Sequence, residues 1–397
     1  MERIISEAAR GAPSRRRILA ASLAGAGGAL LAPSPIRRAR ADTTVKIGQI
    51  EALTGPSAAY GIRGRDGAQL AIDEINSAGG LGDGKGAKVR LELAPQDMAN
   101  DPKQAVTIFR QLATDDSVIA SVGPTNSVGF VPVVPIAGQV KLPLVGDGSG
   151  APIKEWNAFA YRVNPISGSA VPVMLRKIIG KLGVKRLAVL YDQTQDGQAG
   201  DAQVCKSMAG ELGYDVVAFE AFRAGDQDFS PQLATIRNAK PDAIYVAGAT
   251  GDGVRATSQV KEMGFQQPLL TGYGSFQDPV YWDGTKGQIK GDYTWLAQDL
   301  SSPSAQLKDF LERYNKRFPQ EATSFSTYGY DAIQTVAEAV KRAGGTDRGK
   351  VQEALAALEF TTPLGTKVTF KNPPNGDNLT PSVVVIQVTG RGTYVAV

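Results

Sequence analysis

The chain of 397 residues contains no histidine, and that one omission removes most of the reaction centres a sequence can encode. Ser-His-Asp triads, Cys-His dyads, HExxH zinc sites and zinc deaminase centres all need an imidazole as base or ligand. Carboxylate pairs and a Ser-Lys dyad pass that filter, but no Ser-x-x-Lys stands with the companion motifs that would make its serine a nucleophile. The run Gly79-Gly80-Leu81-Gly82-Asp83-Gly84-Lys85-Gly86 matches a phosphate loop as far as its lysine. Gly86 then takes the place of the Ser or Thr that binds magnesium, and the run follows a helix instead of leaving a strand. It therefore reads as a flexible helix-to-strand turn. The lone Cys205 excludes an internal disulfide and reads as a helix-packing residue. The expectation is a binding protein, not an enzyme, with no cofactor and no metal.

The residues suited to binding lie in loops that follow apolar, strand-like runs. In open sheets of parallel strands, ligands bind beyond the carboxyl ends of the strands. Leu53-Thr54-Gly55-Pro56-Ser57-Ala58-Ala59-Tyr60-Gly61 combines small residues, which permit close approach, with an aromatic able to cover a ligand. Gly123-Pro124-Thr125-Asn126-Ser127 places hydroxyls and free amides at a helix start, which suits an anion. Gly146-Asp147-Gly148-Ser149-Gly150, Asp196-Gly197, Gly248-Ala249-Thr250 and Gly272-Tyr273-Gly274-Ser275 hold equivalent places. Each alone is an ordinary turn or cap. Their recurrence at one end of two similar units points to a binding crevice.

The elements that must carry these loops alternate between strand and helix, the pattern of parallel sheets covered by helices. Val45–Glu51 is a first strand, followed by a helix over Arg65–Ala78 with Ala68, Ala71, Ile72 and Ile75 at helical spacing and Gly79-Gly80 as its stop. Val89–Leu93 is the second strand. Asp101 caps a helix that opens with Pro102. Val118–Val122 and Leu142–Val145 are further strands, joined by a helix after Ser127. From Tyr161-Arg162-Val163-Asn164-Pro165 the pattern restarts: a helix from Ser169, strand Arg186–Tyr191, a helix to Leu212, strand Val216–Phe219, helix Phe229–Asn238, strand Ala243–Ala247, helix Gly253–Met263 and strand Leu269–Leu270. Ser304–Ala343 reads as two helices, and Ser382–Val388 with Thr393–Val397 as a closing hairpin. Asn164-Pro165 and the segment Trp295–Gln298 are candidate crossings between two lobes.

Apolar residues make up 42% and charged residues 21% of a chain with a formal net charge of +4. The excess sits at the front. Up to Ala41 there are eight arginines against Glu2 and Glu7, whereas the remainder carries 35 basic and 37 acidic residues, so no nucleic-acid partner is indicated. A basic start, the apolar stretch Ile18–Ala32 and Ala39-Arg40-Ala41 have the three parts of an export signal, and Ser14-Arg15-Arg16-Arg17-Ile18-Leu19 resembles the twin-arginine motif. No later stretch approaches the ~18 apolar residues of a transmembrane helix, so the mature chain is expected to have no membrane span.

These residues resemble the periplasmic solute-binding proteins of branched-chain amino acid type ABC importers. The carriers are Ile47-Gly48, Thr54-Gly55-Pro56, Tyr60-Gly61, the helix Gly67–Asn76 with Gly79-Gly80, Asp97, Gly123-Pro124 with Ser127, Asp228-Phe229-Ser230, Pro241-Asp242-Ala243 and Tyr328 with Asp331-Ala332. The resemblance implies an α/β, type I periplasmic binding fold: two Rossmann-like lobes, parallel sheets flanked by helices, joined by a three-crossover hinge. It divides the chain into an export signal (1–41), lobe 1 (42–164 and 296–370) and lobe 2 (165–295 and 371–397). It implies a monomer in the periplasm, partnered by a small-molecule ligand and a membrane permease. A periplasmic sensor of amides, urea or aromatic compounds is the alternative from another class. Ser127 and Gly148, Ser149 and Gly150 match positions that hold a ligand carboxylate, and Tyr60 matches an aromatic that packs on the ligand. Asp196 stands where lobe 2 of the family has an aromatic, and Tyr273 where it has the acid that neutralises an ammonium. Either Asp196 takes that role or the ligand lacks an amine, because a buried ammonium without a counter-charge costs several kcal/mol. Thr250 completes the set. The ligand is then an amino acid or an aromatic acid.

Overall fold

The computed structural model describes residues 43–82, 88–273, 275–370 and 375–397. Residues 1–41, read as an export signal, Asp83 to Gly86 of the glycine run, and Gly274 lie outside them. The first sheet is built from β1 (Thr43–Glu51), β2 (Leu81–Gly82), β3 (Lys88–Asp97), β4 (Val118–Val122), β5 (Leu144–Gly146) and β6 (Ala160–Arg162), in the order β2-β3-β1-β4-β5-β6. All its pairs are parallel except β2 with β3. Its helices are α1 (Ala58–Ser77), α2 (Pro102–Thr114) and α3 (Ser127–Val140). Every residue of β4 is buried, as an unbroken apolar strand covered on both faces should be. Asp101 accepts hydrogen bonds from the Lys103 and Gln104 amides ahead of Pro102, which caps α2 as its sequence requires.

The chain then forms α4 (Ser167–Leu182), β7 (Arg186–Asp192), α5 (Asp196–Ser207), α6 (Ala209–Leu212), β8 (Asp215–Phe222), α7 (Ser230–Ala239), β9 (Ala243–Ala247), α8 (Thr250–Glu262), β10 (Leu269–Thr271), α9 (Pro279–Gly284) and β11 (Tyr293–Leu296). It continues into α10 (Ala305–Arg317), α11 (Ser324–Ala343) and α12 (Arg348–Ala356), a two-stranded ribbon of β12 (Glu359–Thr361) and β13 (Lys367–Thr369), and finally β14 (Val384–Gly390) and β15 (Thr393–Ala396). The second sheet runs β15-β14-β11-β10-β9-β7-β8, with β14 antiparallel to β11.

Each sheet carries an apolar core on both faces. Residues of α1, α10, α11 and α12 cover one face of the first sheet, and α2 with α3 covers the other. Around the second sheet, α4 and α5 lie on one face and α7, α8 and α9 on the other. Three crossings join the two halves, near Val163–Ile166, after Leu296 and before β14. They are tied together where Asn378 donates to the Val163 carbonyl (3.1 Å) and Gln298 to Thr366 Oγ1 (3.0 Å).

The structure differs from the sequence reading in three places. Helix α1 begins at Ala58 instead of Arg65, because glycines and Arg63 interrupt the apolar repeat of its first turns. Those glycines permit contact with α11: a Cβ at Gly67 would lie 1.9 Å from the Ser326 carbonyl oxygen. Trp295 and Leu296, read as part of a crossing, are fully buried strand residues of β11, and the crossing starts after them. Helix α12 and the ribbon carry too few periodic apolar residues to have been read at all.

Candidate ligand-binding crevice

The carboxyl ends of both sheets' strands face a common crevice. On the lobe-1 side, Asn126 caps α3 by accepting from the Gly129 amide (3.1 Å), which presents Ser127 as the first helical residue. Ser127 Oγ accepts from the Ala151 amide (3.2 Å) and from Ser149 Oγ (3.0 Å). The loop after β5 is therefore stitched to the helix start. It is held from beneath by Arg162 of β6, a fully buried guanidinium whose Nη1 donates to the carbonyls of Ser149 (3.1 Å) and Ala151 (2.6 Å) while Nε pairs with Asp377. Asn164 Nδ2 adds a second donor to the Ser149 carbonyl (2.9 Å). Because a trans peptide sets its carbonyl and amide on opposite sides, tying back the Ser149 carbonyl points the Gly150 amide away from the guanidinium. A hydroxyl, a turned amide and a buried cation behind them make an anion site.

The same loop begins in a buried carboxyl pair. Thr125 donates from its amide (3.0 Å) and hydroxyl (2.6 Å) to Glu51 Oε2, and Asp147 Oδ1 lies 3.2 Å from that hydroxyl. Burial, with repulsion from Asp147, pushes Glu51 well above the carboxylate range, and burial pushes Asp147 up to about 7. Two carboxyls so close cannot both ionise without a cation, so the pair retains a proton.

On the lobe-2 side, Tyr273 follows β10 with φ of 56°, a left-handed backbone that a bulky residue holds only under strain. Its hydroxyl lies 2.6 Å from Ser167 Oγ and 3.4 Å from the Gly197 carbonyl oxygen. It reaches so far toward lobe 1 that a Cβ at Gly150 would fall 1.8 Å from it. Behind it, Asp201 of α5 is fully buried; Oδ2 accepts from Tyr245 (2.7 Å), Oδ1 has no partner, and burial pushes the carboxyl up to about 7. Tyr60 stacks on Phe325 with ring centroids 4.1 Å apart, and its buried hydroxyl faces Thr250, Ser275 and Tyr281 without a regular hydrogen bond.

The cavity between these walls is lined by Ser57, Tyr60, Thr125, Ser127, Gly148 and Gly150 from one side and by Gln195, Gly197, Ala249 and Tyr273 from the other. Its volume is about 20 Å³, room for one water, so a solute enters only when the walls part. None of the described residues lining it carries a charge.

Of the residues singled out in the sequence, the structure brings Tyr60, Ser127, Gly148, Gly150 and Tyr273 to one cavity. Ser149 is buried behind it and holds Ser127, and Thr250 sits beside the Tyr60 hydroxyl. Asp196 is not there. As the exposed first residue of α5 it lines a neighbouring apolar groove of about 860 Å³ with Val131, Pro135 and Ile153. Sequence reasoning missed the supports, Arg162, Asn164 and Asp201. An arginine between the apolar residues Tyr161 and Val163 was the one signal that pointed to any of them. Among the described residues no His/Cys/Asp/Glu cluster could hold a metal ion, and no helix is long and apolar enough to cross a membrane.

A family model described as periplasmic binding protein matches residues 44–393. The chain belongs to the periplasmic binding protein family. As such it is a solute-binding protein, which captures its ligand and does no chemistry on it. This binding protein is 30% identical to the Leu/Ile/Val-binding protein homolog 3 of Brucella melitensis, over 85% of this chain and 89% of that one. It is 28% identical to the leucine-, isoleucine-, valine-, threonine- and alanine-binding protein of Pseudomonas aeruginosa, over 81% and 84%. Among solved structures, the leucine-binding protein of Thermotoga maritima superposes with a TM-score of 0.78 at 28% identity, covering 89% of this chain and 97% of that one. A solute-binding protein of Rhodopseudomonas palustris in complex with 3,4-dihydroxybenzoic acid shares the fold, with a TM-score of 0.76 at 23% identity over 89% and 96%.

Proposed function

We propose that this binding protein captures a small amine-free carboxylate, an aromatic acid, and delivers it to the membrane permease of its importer. The observation that carries the reading is the asymmetry of the crevice. One wall offers an anion site backed by Arg162, and the other offers the Tyr273 phenol and, among the described residues, no charged lining residue. A carboxylate gains charge-assisted hydrogen bonds from Ser127 and the Gly150 amide, worth roughly 1.5–3 kcal/mol each, and an aryl ring packs between Tyr60 and Tyr273. An ammonium would have no counter-charge there. The fold is shared with proteins holding 3,4-dihydroxybenzoic acid and benzoate, which supports the reading without deciding it.

The second reading, a branched-chain amino acid, draws on the relatives named for leucine, isoleucine and valine and on Asp201 behind Tyr273. In either case residues 42–164 and 296–370 form one lobe, residues 165–295 and 371–397 the other, and closure about the three crossings traps the solute. The chain works as an exported monomer whose twin-arginine-like leader ends at Ala41.

A thermal-shift titration of the mature chain from Asp42 onward decides between the ligands, since a ligand at a hundred times its Kd stabilises by ~2.7 kcal/mol. Benzoate and 3,4-dihydroxybenzoate are expected to raise Tm and leucine and isoleucine are not. The reverse pattern overturns the aromatic-acid reading in favour of the amino acid.

A further inference from the structure

A buried ion pair joins the lobes outside the crevice. Arg63, one turn beyond Tyr60 on α1, donates from Nη1 and Nη2 to the two carboxylate oxygens of Asp278, at 3.0 and 3.1 Å. Both side chains are only 4% exposed. Helix α1 packs on the first sheet and on α11, whereas Asp278 caps α9 on the second, its carboxylate accepting from the Val280 amide (3.1 Å). The remaining guanidinium donors stay within lobe 1, Nε on the Glu321 carbonyl (3.0 Å) and Nη1 on that of Ala59 (3.1 Å). Two further contacts flank the pair. Ser324 Oγ donates to Gln277 Oε1 (3.0 Å), and Arg391 of the β14–β15 turn bridges Glu321 of lobe 1 (2.8 Å) and Asp283 of lobe 2 (3.0 Å). Arg391, Glu321 and Asp283 are 44–57% exposed, so solvent screens them.

We propose that Arg63 and Asp278 form a closure latch that sets how much of the protein is closed, and thereby its affinity for any solute. With the lobes apart, guanidinium and carboxylate are each hydrated. With the lobes together each has lost water, and the opposite charge that compensates each is the other, in a bidentate geometry suited to the task. The interaction therefore stabilises closure and neither lobe by itself. Apparent affinity scales with the populated fraction of the binding-competent state, so a latch outside the cavity tunes capture without touching the solute.

The affinity effect rests on the binding reading, but the latch has a test that needs no ligand. Spin labels placed on α2 and α7 of the mature chain report the distance between lobes. Asp278→Asn keeps an N-cap while removing the charge, and Arg63→Gln removes the other partner; each leaves a buried group mispaired on closure. Expected are a longer inter-lobe distance distribution without ligand in both variants, at least a fivefold loss of affinity for whichever of benzoate or leucine binds, and partial recovery of both in the double variant. Arg391→Gln should change either by less than twofold. Unchanged distances in both single variants overturn the latch, as does a fall in Tm with the distances unmoved. If neither benzoate nor leucine binds, the distances still decide the latch while the ligand reading fails by itself.

Discussion

The two walls of the crevice are built by different means. Lobe 1 uses backbone: a helix start, a loop of small residues and carbonyls gripped by Arg162, so that the groups facing the crevice are a hydroxyl and an amide with little freedom. Lobe 2 uses large side chains: Tyr273 on a left-handed backbone, anchored on Ser167 and backed by a buried carboxyl. Under the proposed function, a backbone wall recognises the feature that the solutes share, the carboxylate. A side-chain wall can be exchanged residue by residue, and Tyr273 stands in it where the resemblance read in the sequence implies an acid. Lobe 1 thus sets the chemical class and lobe 2 the individual solute.

The comparison can be broken most forcefully at Arg162. Replacing it by Met leaves Asp377 and the Ala151 carbonyl without their Arg162 donor and the Ser149 carbonyl with Asn164 alone. Removing one partner of a buried pair costs about 3 kcal/mol or more, and both the urea midpoint and all solute binding should fall. A variant that binds normally would show that the loop holds its shape unaided.

Next in size is Gly150→Ala. Its Cβ would meet the Tyr273 hydroxyl, so closure should be blocked and affinity by calorimetry should drop by more than tenfold with Tm of the free protein nearly unchanged. Combining it with Tyr273→Ala, which clears the obstruction, should restore part of the loss. If it does not, the two walls do not meet where the structure places them.

Acidity separates the walls more gently. Asp147 and Asp201, one on each side, are both pushed up to about 7 by burial. Between the ordinary carboxylate range and that value the folded protein binds more protons than the unfolded chain, so stability is greatest near pH 4–5, declines as pH rises to about 7 and is flat beyond. Urea unfolding from pH 5 to pH 8 should show the decline, and Asp201→Asn should flatten it. An unchanged slope in that variant would assign the dependence to the other buried carboxyls, the Glu51–Asp147 pair, Asp331 and Asp292. Comparable in size to the Gly150 effect is that of Ser127→Ala, which removes one hydrogen bond to the proposed solute carboxylate and should weaken binding by roughly 1.5–3 kcal/mol, with the enthalpy of binding as the clearest readout.

How far the sequence disclosed all this follows the same division. Strands Val118–Val122 and Ala243–Ala247 were legible to the residue, because a continuous apolar run between turn signals has one reading in an alternating chain. The lobe-1 wall was legible too, since helix starts and glycine loops carry their own local signals. Arg162 was quoted only as a point where the pattern restarts, and Asp201 lies in α5 on no motif. What singles them out is the meeting of β6 with the loop after β5, and of α5 with Tyr245 and Tyr273, and those distances exist only after folding. The latch was hidden for the same reason, because 215 positions separate its two residues.

The placement of β14 has a consequence for how the protein is made. Strand β11 is complete at Leu296, yet its partner on one side begins only at Val384, roughly ninety residues later in synthesis. At ~5–20 residues per second that leaves the edge of the nascent second sheet unpaired for roughly 4 to 18 seconds, exposing Trp295 and its neighbours as a template for wrong pairing. The second sheet is thus most open to wrong pairing in the interval before its last hairpin emerges.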